Sequence, residues 1–388
     1  MKLPFVVYAD FEAILKPIVE NVEANINTDN NSSYTVRCYE HEPYSFAYYI
    51  KCSYDDSLSK LETFRGKDAA KVIMNRLEND IIGIYKNYLS NKKVMIPLTD
   101  SEQLSHINAD YCHICEKVCV MEEKVYDHDH LTGLYRGPAH SVCNINYKIP
   151  RFVPIFFHNL SNYDSHMFVK DIVLKKEEID VIAQNKEKYI SFSKKVHVDD
   201  VTNCNGKKQK LFIKLRFVDS FRFMASSLEK LGSYLQDNQC IETRKYFSED
   251  SKFDLVRQKG VFPYSYVDAF EKLDVTKLPD SKDFYDTLND EHVSEENYAR
   301  AKLAWNIFNC ETIGDYSDVY VVSDVLMLAD IFENFRTICL QYYKLDPCHY
   351  FTAPGFGWDA LLRMTGVKLD LLTDIDMLHF FKKVCVAV

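Results

Sequence analysis

Hydrophobic and polar positions along the chain predict a mixture of strands and helices. Residues 5–7 form a short apolar run rich in β-branched side chains, which is typical of a buried strand. Residues 44–50 are largely aromatic and fit a neighbouring strand. Residues 69–89 carry apolar side chains at close to helical spacing, which predicts an amphipathic helix. The first part of the chain is therefore expected to be a mixed α/β region.

The same reading extends through the second half of the chain. Residues 152–157 are an apolar run that predicts another strand. Residues 189–192 and 211–218 predict two strands of a hairpin, because the second alternates between apolar and polar positions. Residues 318–343 predict one long helix with a strong apolar face, and residues 358–364 predict a short one. We therefore expect a mixed α/β fold overall.

Two acidic residues stand where the first predicted strand ends. Asp10 and Glu12 are two positions apart, so their side chains point to the same face of a strand. Two unpaired carboxylates at the end of a buried strand repel each other and are costly to desolvate. A divalent cation removes both costs, and hard oxygen ligands suit magnesium or manganese. Taken alone, the stretch also fits an ordinary strand that runs into an acidic turn.

Matching residues occur far downstream. Asp164 follows the apolar run of residues 152–157, and Tyr320 and Asp324 lie four positions apart on one face of the long predicted helix. Four carboxylates and a phenol in this order fit two-metal phosphodiester hydrolysis, in which carboxylates hold two ions roughly 3.5–4 Å apart. The tyrosine can orient the attacking water. The alternative for Tyr320 and Asp324 is a solvated helix face.

Three short motifs carry a resemblance to a known family: Asp10-Phe11-Glu12, residues 159–164, and Tyr320-x-x-x-Asp324. Together they resemble the 3′–5′ proofreading exonuclease domain of family B DNA polymerases, in the protein-primed branch found in viruses, linear plasmids and Polinton-type transposons. Residues 218–228 are similar to the same family. The resemblance implies a ribonuclease H-like fold and contacts of Asn159 and Tyr163 with the single-stranded 3′ end of DNA. It also implies that two Mg²⁺ (or Mn²⁺) ions are held by four carboxylates, namely Asp10, Glu12, Asp164 and Asp324. These four residues and Tyr320 are the implied catalytic residues of the exonuclease.

A Cys- and His-rich segment between residues 111 and 144 interrupts this pattern. Cys112-x-x-Cys115 and His140-x-x-Cys143 are two paired-ligand knuckles whose separation fits one tetrahedral, structural zinc ion. Cys119 falls outside this spacing. The sequence therefore predicts a small zinc-bound module.

The residues between the knuckles resemble the His-metal finger nucleases, and phage recombination endonuclease VII in particular. The resemblance rests on Asp127-His128-Asp129-His130 and on the later Asn144. It implies that His128 is a general base and that Asp127 and Asn144 hold one magnesium ion. That family usually has Cys at the position of His140. Cleavage of DNA and a purely structural role, such as gripping DNA or a priming protein, are equally open.

The motifs divide the chain into four expected parts. These are a first exonuclease part (residues 1–93), the zinc-finger insertion (94–150), a second exonuclease part (151–345) and a truncated start of a polymerase domain (346–388). The resemblance stops near the end of the last part, before any polymerase catalytic motif, so DNA synthesis is not expected from this chain alone.

The expected function is the proofreading part of a protein-primed DNA polymerase in DNA replication, with primer-template DNA and a terminal priming protein as partners. One alternative is an endonuclease VII-like enzyme on an inactive exonuclease scaffold. The other is a non-enzymatic DNA-binding fragment of a decayed transposon.

Composition narrows the class of protein. The chain has 388 residues, of which 47% are hydrophobic, so a globular protein with a sizeable core is expected. Its 12 unevenly spaced cysteines fit an intracellular, reduced protein with a metal site better than a disulfide scaffold. The net charge of -10 argues against a sequence-specific DNA-binding module but not against a nuclease, since metal ions supply positive charge. Neither a membrane span nor a targeting signal is visible.

Overall fold

The computed structural model describes residues 1–18, 39–173, 179–185, 188–202, 206–287, 290–370 and 372–386. Its strands are β1 (Phe5–Pro17), β2 (Tyr39–Cys52), β3 (Lys60–Arg65), β4 (Lys124–His128), β5 (Tyr135–His140), β6 (Phe152–Phe157), β7 (Ile179–Ala183), β8 (Tyr189–Thr202) and β9 (Lys208–Asp219). Its α-helices are α1 (Ala69–Ile84), α2 (Asp100–Asn108), α3 (Ser141–Asn146), α4 (Ser165–Val173), α5 (Leu228–Ser233), α6 (Ile241–Tyr246), α7 (Asp250–Val256), α8 (Glu295–Ile307), α9 (Ile313–Tyr343), α10 (Ala353–Thr365) and α11 (Ile375–Val386). The prediction of a mixed α/β fold is confirmed.

Seven of the strands form one sheet in the order β3-β2-β1-β6-β9-β8-β7. The pairs β1–β6 and β6–β9 are parallel, and the other neighbours are antiparallel. The remaining two strands, β4 and β5, form a separate antiparallel sheet. The predicted hairpin is present as β8 and β9, which are both longer than predicted. Its tip, residues 203–205, lies outside the described residues.

The first strand is longer than the apolar run that predicts it. β1 continues to Pro17, so Asp10 and Glu12 lie within the strand and not at its end, and a register shift follows Glu12. The prediction of a strand end at the carboxylates is therefore wrong. The physical reason is that β2 pairs with β1 along its whole length, so the strand continues past the two carboxylates. By contrast, β6 pairs only with Val7 and Tyr8.

The two faces of β1 bury different neighbours. Every second residue, from Phe5 to Phe11, belongs to a core that includes buried residues of α1. The alternate residues Val6 and Tyr8 belong to a second core, which includes residues of α9 such as Val325. Coverage on both faces explains the continuous apolar run at the start of the chain. Because side chains alternate along a strand, Asp10 and Glu12 share the face of Tyr8 and point toward α9.

The long helix α9 is fastened to the start of β1 by a buried ion pair. Arg336 is fully buried, and its guanidinium lies 2.7 Å from the Asp346 carboxylate. The same two side chains hold the backbone of Leu3, because Arg336 donates to its carbonyl at 2.7 Å and Asp346 accepts from its N–H at 2.7 Å. The helix begins five residues before its predicted start because Thr312 and Asp315 form a capping box.

The small sheet and α3 form a compact unit that we call the finger (residues 109–147). Its core holds three buried residues: Cys112, Cys119 and Ala139. The chain that leads into it lies against its turn, with hydrogen bonds from the Lys93 N–H to the His130 carbonyl and from the Ile96 N–H to the Gly133 carbonyl, both 2.8 Å. A Cβ on Gly133 would lie 2.7 Å from the Val94 carbonyl oxygen, so the close approach requires glycine.

The last two helices leave large apolar side chains exposed, among them Trp358 on α10 and Phe380 on α11. The predicted short helix is confirmed in a longer form as α10, and Gly366 ends it in the left-handed conformation with φ of 63°. Among the residues that the structure describes, no helix is both long and apolar enough to cross a bilayer.

Candidate metal-binding sites

The main sheet and α9 together build a cluster of carboxylates. Ligand atoms of Asp10, Glu12 and Asp324 all lie within 4.8 Å of one another. Asp10 and Glu12 come from one face of β1, and Asp324 comes from the part of α9 that packs on that face. Tyr320 lies one turn earlier on α9 and is buried. The structure thus brings together four of the five residues that the sequence predicts for catalysis.

The fifth residue, Asp164, lies beside this group at the start of α4 and is buried. Burial and the charge of Asp10 raise its pKa well above the usual range. One oxygen each of Asp164 and Asp324 is buried without a hydrogen-bond partner in the part of the chain that the structure describes. Buried oxygens of this kind are normally paired, so two orphaned acceptors point to a missing cation.

Mutual repulsion is the main electrostatic feature of the cluster. Burial, followed by the charge of Asp324, raises the pKa of Asp10 to about 7. Burial and the charges of Asp10 and Asp324 raise the pKa of Glu12 well above its ordinary value. Divalent cations would relieve both effects, and a set of carboxylate oxygens is the donor set that magnesium and manganese prefer. The residues present therefore fit a hard divalent ion.

Two residues that sequence reasoning missed complete the surroundings of the cluster. The Lys259 Nζ lies 3.0 Å from the Asp324 Oδ2, and the Tyr264 hydroxyl donates to the Tyr320 hydroxyl at 3.2 Å. Burial opposes the charge on Lys259, but the charges of Asp324, Tyr264 and Asp10 outweigh it and raise its pKa. Burial and Asp324 keep the pKa of Tyr320 high, so its phenol is neutral.

The loop between β6 and α4 carries the two residues that are expected to contact DNA. Tyr163 is about one-third exposed, and its hydroxyl lies 3.0 Å from the His41 Nδ1. Burial and the nearby charges of Glu12 and Asp164 raise the pKa of this phenol. Asn159 has a left-handed backbone, with φ of 69°, and its side-chain oxygen accepts a hydrogen bond from Asn162.

Asp219 at the end of β9 holds this loop in place. Its carboxylate accepts hydrogen bonds from the backbone N–H groups of Asn159 at 2.9 Å, Ser161 at 3.0 Å and Phe221 at 3.1 Å. The sequence singled out residues 218–228 as family-like but assigned no role to Asp219. Because it anchors the loop without reaching the cluster's three-residue group, Asp219 is a positioning residue.

The finger contains the second candidate metal site. Ligand atoms of Cys112, Cys115, His140 and Cys143 lie within 4.8 Å of one another. The His140 Nδ1 faces the sulfurs of Cys115 at 3.4 Å and Cys143 at 3.8 Å. Its Nε2 lies 3.0 Å from the carbonyl of Val118, which orients the ring as second partners of metal-bound histidines do. Three sulfurs and one imidazole are the donor set of structural zinc.

The thiol of Cys112 is prepared for a cation. Burial opposes its thiolate form, but N–H groups of Cys115, His140 and Ile114 outweigh burial and lower its pKa to about 6. Cys119 does not join the four ligands and packs instead in the small core of the finger. A cluster of Cys₃His that could hold zinc is therefore present, as predicted.

Of the residues of the predicted finger nuclease, Asp127 is already engaged by other side chains. Asp127 is buried, and Arg136 donates to both of its oxygens at 2.8 Å, while the His113 Nε2 lies 2.8 Å from one of them. A magnesium ion at Asp127 would have to compete with Arg136, whose partnership the sequence did not reveal. His128 ends β4, 4.9 Å from His130 between ring centroids, and Asn144 lies on α3.

Two family models match parts of the chain. Residues 88–163 match the model of the family described as recombination endonuclease VII, which spans the finger. Residues 145–360 match the model of the family described as DNA polymerase type B, organellar and viral. No curated protein and no solved structure matches the chain. The polymerase match covers more than half of the 388 residues, and the chain therefore belongs to the organellar and viral type B DNA polymerases.

Proposed function

We propose that the carboxylate cluster removes nucleotides from the 3′ end of single-stranded DNA, as the proofreading exonuclease of a protein-primed polymerase in DNA replication. One observation carries the proposal, namely that Asp10, Glu12 and Asp324 converge from β1 and α9 with no cation among them except Lys259 in the described residues. In a chain of the type B polymerase family, a site of this composition is suited to phosphodiester hydrolysis.

The sheet supports a ribonuclease H-like architecture for this part of the chain. Its first five strands follow the order β3-β2-β1-β6-β9, in which only β2 runs against the others. A helix covers each face of β1. We therefore propose that residues 1–93 and 151–345 are two parts of one exonuclease domain, which residues 94–150 interrupt.

The site would depend on divalent ions. Asp10, Glu12, Asp164 and Asp324 would hold Mg²⁺ or Mn²⁺, because all four are acidic, buried or half-buried, and short of cationic partners apart from Lys259. When bound, such ions activate water and stabilise negative charge on a phosphate.

The protein's own groups have separate roles around these ions. The neutral phenol of Tyr320, held by Tyr264, can orient a water molecule toward the 3′-terminal phosphate. The ammonium group of Lys259 is the one cationic side chain with a described contact to the cluster, so it can stabilise charge that builds up on the phosphate. Asn159 and Tyr163 lie on the loop beside the cluster, where they can contact the terminal nucleotide.

The test is shortening of a 5′-labelled single-stranded oligonucleotide in magnesium, followed on a sequencing gel. The variant Asp10→Ala with Glu12→Ala should reduce the rate by more than about 10³-fold, since metal and electrostatic contributions dominate such sites. The control, Glu40→Ala with Glu296→Ala, removes two exposed carboxylates elsewhere and should keep the wild-type rate. Undiminished shortening by the first variant would refute the assignment.

A second candidate function is cleavage of duplex or branched DNA by the finger. It is favoured by the endonuclease VII match over residues 88–163 and by the position of His128 at the end of β4. A neutral imidazole there can take a proton from the attacking water. His128→Ala should then remove nicking and leave 3′ shortening intact. If the zinc-loaded wild-type protein never nicks DNA, the finger is structural.

A further inference from the structure

A cleft separates the finger from the main sheet. Its volume is about 480 Å³, and residues of both regions line it. The finger contributes His130, Asn144 and Tyr147, and the sheet region contributes Tyr85 and the β9 residues Leu211 and Ile213. The cleft therefore exists only because the finger is inserted beside this sheet, and neither region forms it alone.

The charge of the cleft is opposite to that of the protein. None of the described residues that line it is Asp or Glu, although the chain carries a net charge of -10. Lys92, Lys148 and Arg151 lie at its edge, are exposed, and have no carboxylate partner in the described part of the chain. Burial lowers the pKa of His130, and the neighbouring charges of His128 and Lys92 lower it further, which agrees with a positive local potential.

The floor of the cleft is apolar and partly aromatic. Leu211 and Ile213 are buried at its base, while Ile145 on α3 is 62% exposed beside it. Two tyrosines, Tyr85 and Tyr147, also line the cleft, and the ring of Tyr147 is braced by Arg136, whose guanidinium lies 4.6 Å from the ring centre. Proteins that bind single-stranded nucleic acids combine apolar and aromatic walls, which contact the bases, with a rim of cations, which contact the phosphates.

We propose that this cleft binds a single-stranded segment of nucleic acid. The bases would lie against the apolar floor and the two tyrosines, and the phosphates would contact Lys92, Lys148 and Arg151. A duplex keeps its bases stacked inside, so it could use the rim but would leave the floor uncovered. Among the described residues, the lining of the cleft includes no carboxylate and no member of the carboxylate cluster, so the proposal goes beyond the proposed exonuclease.

The first test measures binding without catalysis. Zinc-loaded protein is titrated into a fluorescent single-stranded oligonucleotide in buffer free of magnesium, and anisotropy is followed at several salt concentrations. The variant Lys92→Ala, Lys148→Ala, Arg151→Ala should bind more than about tenfold more weakly at 0.1 M salt. The slope of log affinity against log salt should become shallower by about 2, because three phosphate contacts on a single strand are lost.

A matched control removes the same charge from other surfaces. The variant Lys71→Ala, Lys282→Ala, Lys368→Ala replaces three exposed lysines outside the cleft and should leave affinity and salt slope unchanged. The variant Asp10→Ala with Glu12→Ala should also keep its cleft-dependent binding, even if it has lost 3′ shortening. Failure of this inference is therefore separable from failure of the proposed exonuclease.

A second pair of variants tests the floor. Ile145→Asp places a negative charge beside the cleft, whereas Val142→Asp makes the same change at a 69% exposed position on the same helix that does not line it. Ile145→Asp should weaken binding of single strands by at least about fivefold, and Val142→Asp should not, with zinc content equal in both. Wild-type affinity in the cleft variants would overturn the site. Weakened binding of duplex DNA with unchanged binding of single strands would overturn the single-stranded assignment.

Discussion

The carboxylate cluster and the finger are two candidate metal sites of opposite construction. The cluster draws Asp10, Glu12 and Asp324 from distant parts of the chain and places them between two large hydrophobic cores. The finger takes all four ligands from residues 112–143 and has only three buried residues in its own core. In the first site the fold holds the ligands against their mutual repulsion. In the second, an ion bound by the four ligands would take the place of a core.

The same contrast extends to the buried Arg–Asp pairs of the two regions. Arg336 and Asp346 hold the backbone of Leu3 and so connect α9 to the main sheet. Arg136 and Asp127 connect β5 to β4 inside the finger, with His113 as a third member. The two pairs have similar sequence separations, but the first reaches across the chain to Leu3, and the second stays within one hairpin.

Removal of zinc should give the largest effect and should separate the two regions. Structural zinc in small modules contributes about 10–16 kcal/mol, so a chelator should unfold residues 109–147 and leave the main sheet folded. Hydrogen exchange would show lost protection in β4 and β5 only. Cys115→Ala should abolish zinc binding, whereas the buried non-ligand variant Cys119→Ala should retain one zinc by native mass spectrometry. A metal-free finger whose amides stay protected from hydrogen exchange would contradict the view that zinc replaces a core in this region.

Loss of the ion pair between Arg336 and Asp346 should destabilise the main sheet and leave the finger folded. Arg336→Leu leaves Asp346 buried without its partner, which should lower the free energy of unfolding by about 3–5 kcal/mol. Chemical denaturation monitors the sheet, and zinc content monitors the finger. Arg336→Leu with Asp346→Leu should lose less, because no uncompensated charge remains. An equal loss of zinc in Arg336→Leu would mean that the two regions are not independent.

Substitution of Lys259 tests whether its positive charge contributes to the activity of the carboxylate cluster. Lys259→Met should slow 3′ shortening in magnesium by about 10–100-fold, since one positive group near the phosphate is lost. Lys259→Arg should recover part of the rate. Lys277→Met changes an 81% exposed lysine of the same loop-rich region and should act as wild type. A rate unaffected by Lys259→Met would remove this residue from the site.

The smallest expected effect is a pH dependence of stability in protein without divalent ions. Burial and Asp324 raise the pKa of Asp10 from 3.8 in the unfolded chain to about 7. The resulting stabilisation is therefore present below about pH 4 and is lost as pH rises through about 7. Asp10→Asn should make the melting temperature less dependent on pH between pH 5 and 8. Added magnesium should have the same effect on the wild-type protein. A wild-type melting temperature that rises from pH 5 to 8 would contradict the proposed repulsion between Asp10 and Asp324.

The ligands could be predicted from sequence because each has a local signature. The pairs of residues that share a strand face or a helix turn, such as Asp10 with Glu12 and Tyr320 with Asp324, follow from regular geometry. The finger ligands follow from their paired spacing. Helix α9 and the strand β6 follow from their apolar patterns. These features depend only on near neighbours in the sequence.

The remaining features depend on contacts between distant residues. Lys259 and Tyr264 lie in a stretch between α7 and α8 without a regular apolar pattern, and only the fold brings them to the cluster. The partnership of Asp127 with Arg136 depends on the register of β4 against β5. The extension of β1 to Pro17 depends on pairing with β2. The periodic pattern of apolar residues in one sequence carries no information about such contacts between distant residues.

The hydrogen bonds of Arg336 and Asp346 to Leu3 affect the order in which parts of the protein can assemble during synthesis. A ribosome releases the first strand hundreds of residues before Arg336 and Asp346, so β1 waits without its helix while most of the chain is synthesised. All four candidate zinc ligands lie at or before Cys143 and are therefore made long before that moment. A nascent chain that stalls before Ile313 would contain these four ligands but no assembled carboxylate cluster, and would expose the apolar face of its first strand to chaperones.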